Sequence, residues 1–268
     1  MSEEKAVKKK RCTAVILAGG SGSRMHSDVA KQFMLLGGKP LLWYSLQAVQ
    51  QSEIIDDCIL VAGKADGLHS GPQPDTLEYV RGEVVEKYGF TKVDAIIPGG
   101  SERCWSVENA MAVLRDGVKG GRVPNRDGYV FIHDSARPFL TEAILYRTYE
   151  AVKRYRACVA AMPSKDTVKL ADEECFAATT PPRSRVWIIQ TPQVFDADLI
   201  AMAYGRLREQ YLQSVQPPVT DDASVVELFS DIPVKLVEGS YHNIKITTPE
   251  DIKIAEAFLG DPHSVGMV

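Results

Sequence analysis

The chain has 268 residues, 45% hydrophobic and 25% charged, ordinary globular values that leave room for one large α/β domain or two small ones. Lys plus Arg (31) against Asp plus Glu (35) gives a net charge of −4, which excludes a general attraction for nucleic acid or acidic membranes. Any phosphate chemistry must therefore rest on locally concentrated positive charge.

The opening MSEEKAVKKKR is charged and is expected to be a flexible tail over residues 1–11. The apolar run after it, TAVILA, is about six residues long, whereas a signal peptide needs roughly 7–15 and a membrane span about 20. Five scattered cysteines, Cys12, Cys58, Cys104, Cys158 and Cys175, form no CxxC pair. An odd, unpaired set points to a reducing compartment rather than a disulfide framework or structural zinc, so the cytoplasm is the expected location.

Short β-branched runs at Thr13 to Ala18, Cys58 to Val61, Ala95 to Ile97, Tyr129 to Ile132 and Cys158 to Ala161 read as buried strands. Between them, Leu41 to Gln51, Thr76 to Tyr88, Arg103 to Leu114 and Thr141 to Tyr155 carry helical spacing. This alternation predicts an α/β fold, a mostly parallel sheet with helices on both faces. Ligands then bind where the carboxyl ends of strands feed loops. Lys64 to Pro74 and Lys119 to Asp127 read as polar surface insertions. After Pro163 the alternation breaks: Thr167 to Leu170 and Cys175 to Ala178 predict a hairpin, followed by Pro181-Pro182 and a strand near Val186 to Ile189. A protruding β-arm at about 164–186, within a single domain over 12–259, fits this better than another βαβ unit; residues 260–268 are expected to form a C-terminal tail.

LAGGSGSRM follows the first predicted strand directly. Glycines there permit positive φ and let amide N–H groups approach phosphate oxygens, with Arg24 and Lys31 supplying charge. A Walker A loop would need a terminal GK[ST], which is absent, and a GxGxxG fingerprint starting at Gly20 would place a third glycine where Met25 stands. A turn that merely joins strand to helix would use the same glycines, so the phosphate reading needs support elsewhere in the chain.

That support is a set of motifs at later strand ends. LAGGSGSRM with Lys31-Gln32, then GGSERCWSV, HDSARP, KDTVK, RSRVWIIQTPQVF, TDDASVVE and NIKITTPED together resemble the 2-C-methyl-D-erythritol 4-phosphate cytidylyltransferase (IspD) family, in the family's order and over about residues 13 to 258. The resemblance implies a Rossmann-like fold with a dimerising β-arm, and transfer of CMP from CTP to methylerythritol phosphate. It assigns Ala18, Gly19, Gly20, Gly22, Gly99, Gly100, Arg103 and Ser106 to the nucleotide. Arg24, Lys31 and Lys245 become the catalytic cations, and Arg137, Asp166, Thr167, Arg183 and Thr191 the sugar-phosphate contacts. Thr167, on the arm, would reach the partner's site in a homodimer.

Asp134 is implied to hold Mg²⁺, a hard ion usually bound by one or two carboxylates plus phosphate oxygens. On residue type alone Asp134 also reads as an Asx-turn carboxylate, Ser101 as a helix cap, Arg183 as a solvated arm charge, and Lys245 as an outward residue between Ile244 and Ile246 in a strand. His133 has no second His or Cys nearby at ligand spacing and reads as a hydrogen-bonded structural histidine. Asp221-Asp222 most simply begins a helix capped by Thr220 or Asp221. Family members commonly carry Ala where Ser135 stands.

The implied reaction needs no general base, because a phosphate monoester is largely dianionic at neutral pH. The nearest alternative is a ribitol 5-phosphate cytidylyltransferase, which shares the glycine loop, the HDS.RP motif and NIKITTP; KDTVK, TDDASVVE and RSRVW lean towards methylerythritol phosphate. A non-catalytic nucleotide-binding regulator would explain the glycine loop but not the cations at Arg183 and Lys245.

Overall fold

The computed structural model describes residues 9–19, 30–64, 77–117, 125–214 and 217–260. Seven strands form one sheet: β1 (Cys12–Ala18), β4 (Asp57–Lys64), β5 (Val93–Gly99), β6 (Tyr129–Asp134), β7 (Ala157–Pro163), β10 (Trp187–Asp196) and β11 (Lys235–Glu238), in the order β11-β7-β10-β6-β1-β4-β5. All run parallel except β10, which lies antiparallel between β6 and β7. Two-residue strands β2 (Leu35–Leu36) and β3 (Lys39–Pro40) pair with each other, as do β8 (Leu170–Ala171) and β9 (Ala177–Thr179).

Alternate residues of the parallel strands feed two cores, as a sheet covered on both faces requires. On one face Ala14, Ile16, Leu60 and Phe131 pack under α1 (Leu41–Gln51), α2 (Leu77–Tyr79, continuing as a π-helix over Val80–Glu86) and α4 (Glu142–Tyr155). On the other, Val15, Ile59, Val130 and Ile132 pack under α3 (Arg103–Asp116), α5 (Ala197–Leu212) and α6 (Asp222–Phe229). The last helix, α7 (Pro249–Gly260), joins a smaller cluster with Leu36, Leu41 and Phe139. Its start is fixed by Asp251, whose Oδ2 accepts from both backbone N–H groups and the hydroxyl of the Thr247-Thr248 pair.

The chain moves outward from β1 to β4 and β5, then returns to lay β6 on the opposite side of β1. This reversal makes the carboxyl ends of β1 and β6 the switch point of the sheet, where ligands of such folds bind. Leu17 pairs in register with Asp134, and Ser135 N–H donates to the Leu17 carbonyl.

The hairpin segment leaves the sheet after Pro163 and returns at Trp187, closed at its base by a bond from Ser164 N–H to the Val186 carbonyl. Its β8 and β9 residues are wholly exposed. The sequence placed the last strand near Val186 to Ile189; β10 in fact runs on to Asp196, and its second half is the buried antiparallel strand of the sheet. Of the expected tails, residues 1–8 and 261–268 lie outside the described residues, as do positions 65–74 and 119–124 of the two insertions. Lys9 is tied to the Glu53 and Ile54 carbonyls and to Asp56, and Arg11 to Asp57, so the chain is anchored before β1 begins. Asn125, read as part of a surface loop, is buried: it donates to Thr13 Oγ1 and accepts from Gly128 N–H, because the turn into β6 needs its polar backbone satisfied.

Candidate active site

Asp134 ends β6 and projects at the switch point, buried. Its Oδ1 accepts from Arg103 Nε at 3.1 Å, and its Oδ2 from Lys245 Nζ at 2.7 Å. Burial alone would raise this carboxyl, but Arg103 and Lys245 override that and hold it well below the ordinary aspartate range, so it is an anion at any physiological pH. Lys245 reaches it from the segment between β11 and α7. The sequence offered an outward strand residue as one reading of Lys245, but residues 243–247 form no strand there.

Arg103, the first residue of α3, extends its fork to Asp222 on α6, with Nη1 to Oδ1 at 2.9 Å and Nη2 to Oδ2 at 2.8 Å. Tyr204 on α5 donates its hydroxyl to Asp222 Oδ1 at 2.7 Å. Burial disfavours the charge on Arg103, yet Asp222 and Asp134 outweigh it and raise its pKa well above the usual value. Burial and Asp222 likewise keep the Tyr204 phenol protonated. The start of α6 is itself pinned. Asp221 and Ser224 form a reciprocal capping box, and Gln193 of β10 accepts from Ala223 N–H while donating to Asp221 Oδ2. Asp221, not Thr220, is the cap.

On the other side of Asp134, its backbone N–H donates to Thr191 Oγ1 at 3.1 Å. Thr191 Oγ1 also lies 2.9 Å from His133 Nδ1, while His133 Nε2 is 3.1 Å from the Arg137 carbonyl. A carbonyl only accepts, so Nε2 carries the ring proton, Nδ1 is an acceptor, and the Thr191 hydroxyl donates to it. Burial lowers His133 to about 4, which keeps it neutral; it is a structural histidine, as its isolation in the sequence implied. Arg137 donates Nη1 to the Asn243 carbonyl and Nη2 to the Ile189 carbonyl, tying the loop after β6 to the segment carrying Lys245.

Gly99 and Gly100 form the turn from β5 to α3. A Cβ on Gly99 would lie 2.7 Å from the Gly63 carbonyl oxygen, and one on Gly100 2.4 Å from Trp105 Cβ. Ser106 accepts from Gly100 N–H and donates to the Glu102 carbonyl, so it holds this turn in place. Ala18 is buried at the end of β1 and Gly19 follows it. Gly20, Gly22 and Arg24 lie outside the described residues. Lys31 opens a single 3₁₀ turn over Lys31–Phe33, half-buried.

Asp166, Thr167 and Arg183 are exposed on the arm. Arg183 Nη1 contacts the Lys165 carbonyl at 3.5 Å, and Ser164 Oγ accepts from Asp166 N–H. None of the described hydrogen bonds joins these three residues to the Asp134 cluster. The described site residues thus fall into a connected group (Asp134, Arg103, Lys245, Thr191, Arg137), a turn (Gly99, Gly100, Ser106), the end of β1 and the 3₁₀ turn (Ala18, Gly19, Lys31), and the arm. Asp222, Gln193, Tyr204 and Asn243 complete the connected group. Asp222, Gln193 and Asn243 carried a signal in the sequence, as members of TDDASVVE, RSRVWIIQTPQVF and NIKITTPED; Tyr204 sits in an ordinary amphipathic stretch.

Fold and cluster together define a Rossmann-like α/β protein with a linked set of buried and half-buried charges at its sheet switch point. The chain belongs to the 2-C-methyl-D-erythritol 4-phosphate cytidylyltransferase (IspD) family, whose model matches residues 12–261. A relative of that name from Lachnospira eligens is 47% identical over 247 residues, covering 92% of this chain and 98% of the relative. The crystal structure of a 4-diphosphocytidyl-2C-methyl-D-erythritol synthase from Anaerococcus prevotii aligns with a TM-score of 0.73 at 34% identity, covering 94% of this chain and 99% of that one. The IspD structure from Francisella tularensis aligns at 0.68 with 27% identity, over 92% and 99% of the two chains.

Proposed function

We infer that the protein transfers CMP from CTP to 2-C-methyl-D-erythritol 4-phosphate, giving 4-diphosphocytidyl-2-C-methyl-D-erythritol and pyrophosphate in the methylerythritol phosphate route to isoprenoid precursors. The observation that carries this reading is the Asp134 carboxylate, held between Arg103 and Lys245 at the switch point of a chain that matches the family from end to end of its sheet. A phosphate oxygen of the sugar alcohol attacks the α-phosphorus of CTP in line; the new P–O bond forms as the bond to the β-phosphate oxygen breaks. The attacking phosphate is already largely dianionic near neutrality, so no base is required. The barrier is the approach of two anions and the charge gathering at one phosphorus, which positioned cations lower.

In this reading Arg24, Lys31 and Lys245 supply that positive charge. Ala18, Gly19, Gly20, Gly22, Gly99, Gly100 and Ser106 border the nucleotide, while Arg137, Asp166, Thr167, Arg183 and Thr191 take the sugar phosphate. Arg103 serves the nucleotide indirectly, through Asp134. The donors fit Mg²⁺: Asp134 offers one anionic carboxylate, and among the described residues no group of three or more His, Cys, Asp or Glu forms a metal cage. That suits an ion that arrives with the triphosphate and neutralises part of its charge.

The arm supports a homodimer in which Thr167 completes the partner's site, since it carries Leu170 and Phe176 at 55% and 68% exposure. No helix among the described residues is long and apolar enough to cross a membrane, and the cysteines are unpaired, which supports a cytoplasmic enzyme. Pyrophosphate release from CTP and Mg²⁺ tests the reading, with methylerythritol phosphate and ribitol 5-phosphate as rival acceptors. Turnover with the former is expected; preference for the latter would reassign the substrate, and silence with both would remove the activity.

A further inference from the structure

Arg103 stands between two carboxylates of opposite character. Asp222 is fully buried, and its compensation is the Arg103 fork plus the Tyr204 hydroxyl. Asp134, at the carboxyl end of β6, takes the remaining Arg103 donor, Nε, on Oδ1 only. Its other oxygen is held by Lys245, whose side chain is 39% exposed. The two contacts differ in what it costs to break them. Moving Arg103 onto a phosphate would strand Asp222 as an unpaired buried charge, the most penalised arrangement an ion pair can be left in. Moving Lys245 breaks one contact of a half-exposed ammonium and leaves Asp134 still paired with Arg103.

The frame around Asp222 is equally fixed. The capping box of α6 and the two bonds from Gln193 set its backbone, and Tyr204 sits in the core of the second sheet face beside Val107 and Leu207. Arg103 in turn is the first residue of α3, directly after the tight Gly99-Gly100 turn. Both ends of the strut are therefore anchored in packed secondary structure rather than in mobile loops.

We propose that Asp222 and Tyr204 are positioning residues that fix Arg103 as a permanent strut under Asp134, so that the nucleotide and its cation enter by exchange at one oxygen alone, the one held by Lys245. The proposal deepens the activity reading above and rests on it. Arg103 then leaves the set of direct nucleotide ligands. The strut presents Asp134 with one oxygen fixed and the other exchangeable, and Lys245 is released from the carboxylate to meet the triphosphate in the same event.

The test is Mn²⁺ binding in the presence of CTP and no sugar phosphate, read by loss of the free Mn²⁺ signal in electron paramagnetic resonance, for the wild type, Asp222→Asn and Tyr204→Phe. Asp222→Asn is expected to weaken Mn²⁺–CTP binding by about 10-fold or more, the loss typical when the outer partner of a metal-holding group is removed. Tyr204→Phe, which deletes one hydrogen bond, is expected to weaken it by a smaller factor, roughly 3-fold. Both should leave KM for the sugar phosphate unchanged, a split that a general loosening of the fold would not give. Wild-type Mn²⁺–CTP binding in a folded Asp222→Asn protein overturns the proposal. If that variant does not fold, Tyr204→Phe decides alone, with unchanged binding again the overturning result. A crystal structure with CTP gives the second reading: the Arg103–Asp222 fork intact and Lys245 off Asp134 is expected, and Arg103 on the triphosphate overturns the proposal. A wild type that binds Mn²⁺–CTP but releases no pyrophosphate with either acceptor would refute the activity assignment while the binding series still decides the strut.

Discussion

Lys245 Nζ lies 2.7 Å from Asp134 Oδ2, joining the segment before α7 to the carboxyl end of β6 across 111 positions of sequence. The contact is short, yet the lysine is 39% exposed, so its worth to the fold is about 1 kcal/mol or less once solvent screening is counted. On the proposed mechanism its worth to the reaction is larger, because loss of one preorganised donor to a developing phosphate charge costs on the order of 10²–10³ in rate. Lys245→Ala should therefore lose activity on that scale while its melting temperature stays within a few degrees of wild type. Pyrophosphate release and calorimetry measure the two quantities. A folded variant with near-normal kcat would remove Lys245 from the mechanism.

The turn after β5 separates packing from ligand contact. A Cβ on Gly100 meets the Trp105 side chain and backbone at 2.4 and 2.7 Å, and since backbone cannot yield as a flexible side-chain tip does, Gly100→Ala should cost about 1–3 kcal/mol. Ser106→Ala removes only the hydroxyl that accepts from Gly100 N–H and donates to Glu102, which should cost about 1 kcal/mol. If Ser106 also touches the nucleotide, its variant raises KM for CTP several-fold beyond what the stability change explains. Denaturant melts and CTP titrations on the same preparations distinguish these effects, and an unchanged KM would confine Ser106 to the turn.

His133, next to Asp134 and bonded to Thr191, gives a pH signature of the fold. Its folded pKa is held at about 4 by burial, against the ordinary histidine value of 6.5. The unfolded chain thus binds more protons than the folded one between those values. Stability is fully present above pH 6.5 and is lost as pH falls towards 4, by roughly 3 kcal/mol if the whole shift is expressed. Asp134 does not confuse this window, because its own pKa lies below the ordinary aspartate value and its contribution is lost only in stronger acid. Nitrogen NMR of the ring should show the neutral Nε2–H tautomer at pH 7 and no protonation until near pH 4. A ring that titrates near 6.5 would refute the stability window, and an Nδ1–H ring at neutral pH would refute the tautomer.

Much of this was legible in the sequence because it follows from local periodicity. The strand starting near Thr13 and the helix over Leu41 to Gln51 need only alternate or helically spaced apolar residues, and the structure places them at Cys12–Ala18 and Leu41–Gln51. The second half of β10 was missed. Gln190, Thr191 and Gln193 interrupt its apolar run with polar side chains, and these are buried because each is satisfied by a partner far away in sequence, Ser240, His133 and Asp221 among them. Periodicity carries no information about such partners. The same limit hid the strut: Arg103 and Asp222 are 119 residues apart, and only the fold, by placing α3 and α6 on one sheet face, brings them together. Asp134 and Lys245 were accessible through family motifs, but their mutual contact was not.

Assembly is the last consequence. The arm holds Leu170 and Phe176 at 55% and 68% exposure, and Ile188, where the chain re-enters the sheet beside the arm's base, is 54% exposed; the arm's two short strands alone bury too little apolar surface to justify so many exposed large side chains. Asp166, Thr167 and Arg183 ride on the same segment. If the arm docks on a second copy, substrate contacts and oligomeric state become one property, and breaking the interface removes part of each site. Replacing Leu170, Phe176 and Ile188 together by Ser should convert a dimer to a monomer in sedimentation velocity. The triple variant should also raise KM for the sugar phosphate by about 10-fold or more, the order expected when one charged phosphate contact worth about 1.5–3 kcal/mol is withdrawn. Mn²⁺–CTP binding, proposed to rest on the Asp134 cluster and not on the arm, should be spared. A wild type that is monomeric at assay concentrations, or a monomeric variant with full activity, would separate the arm from catalysis and leave its apolar face to another partner.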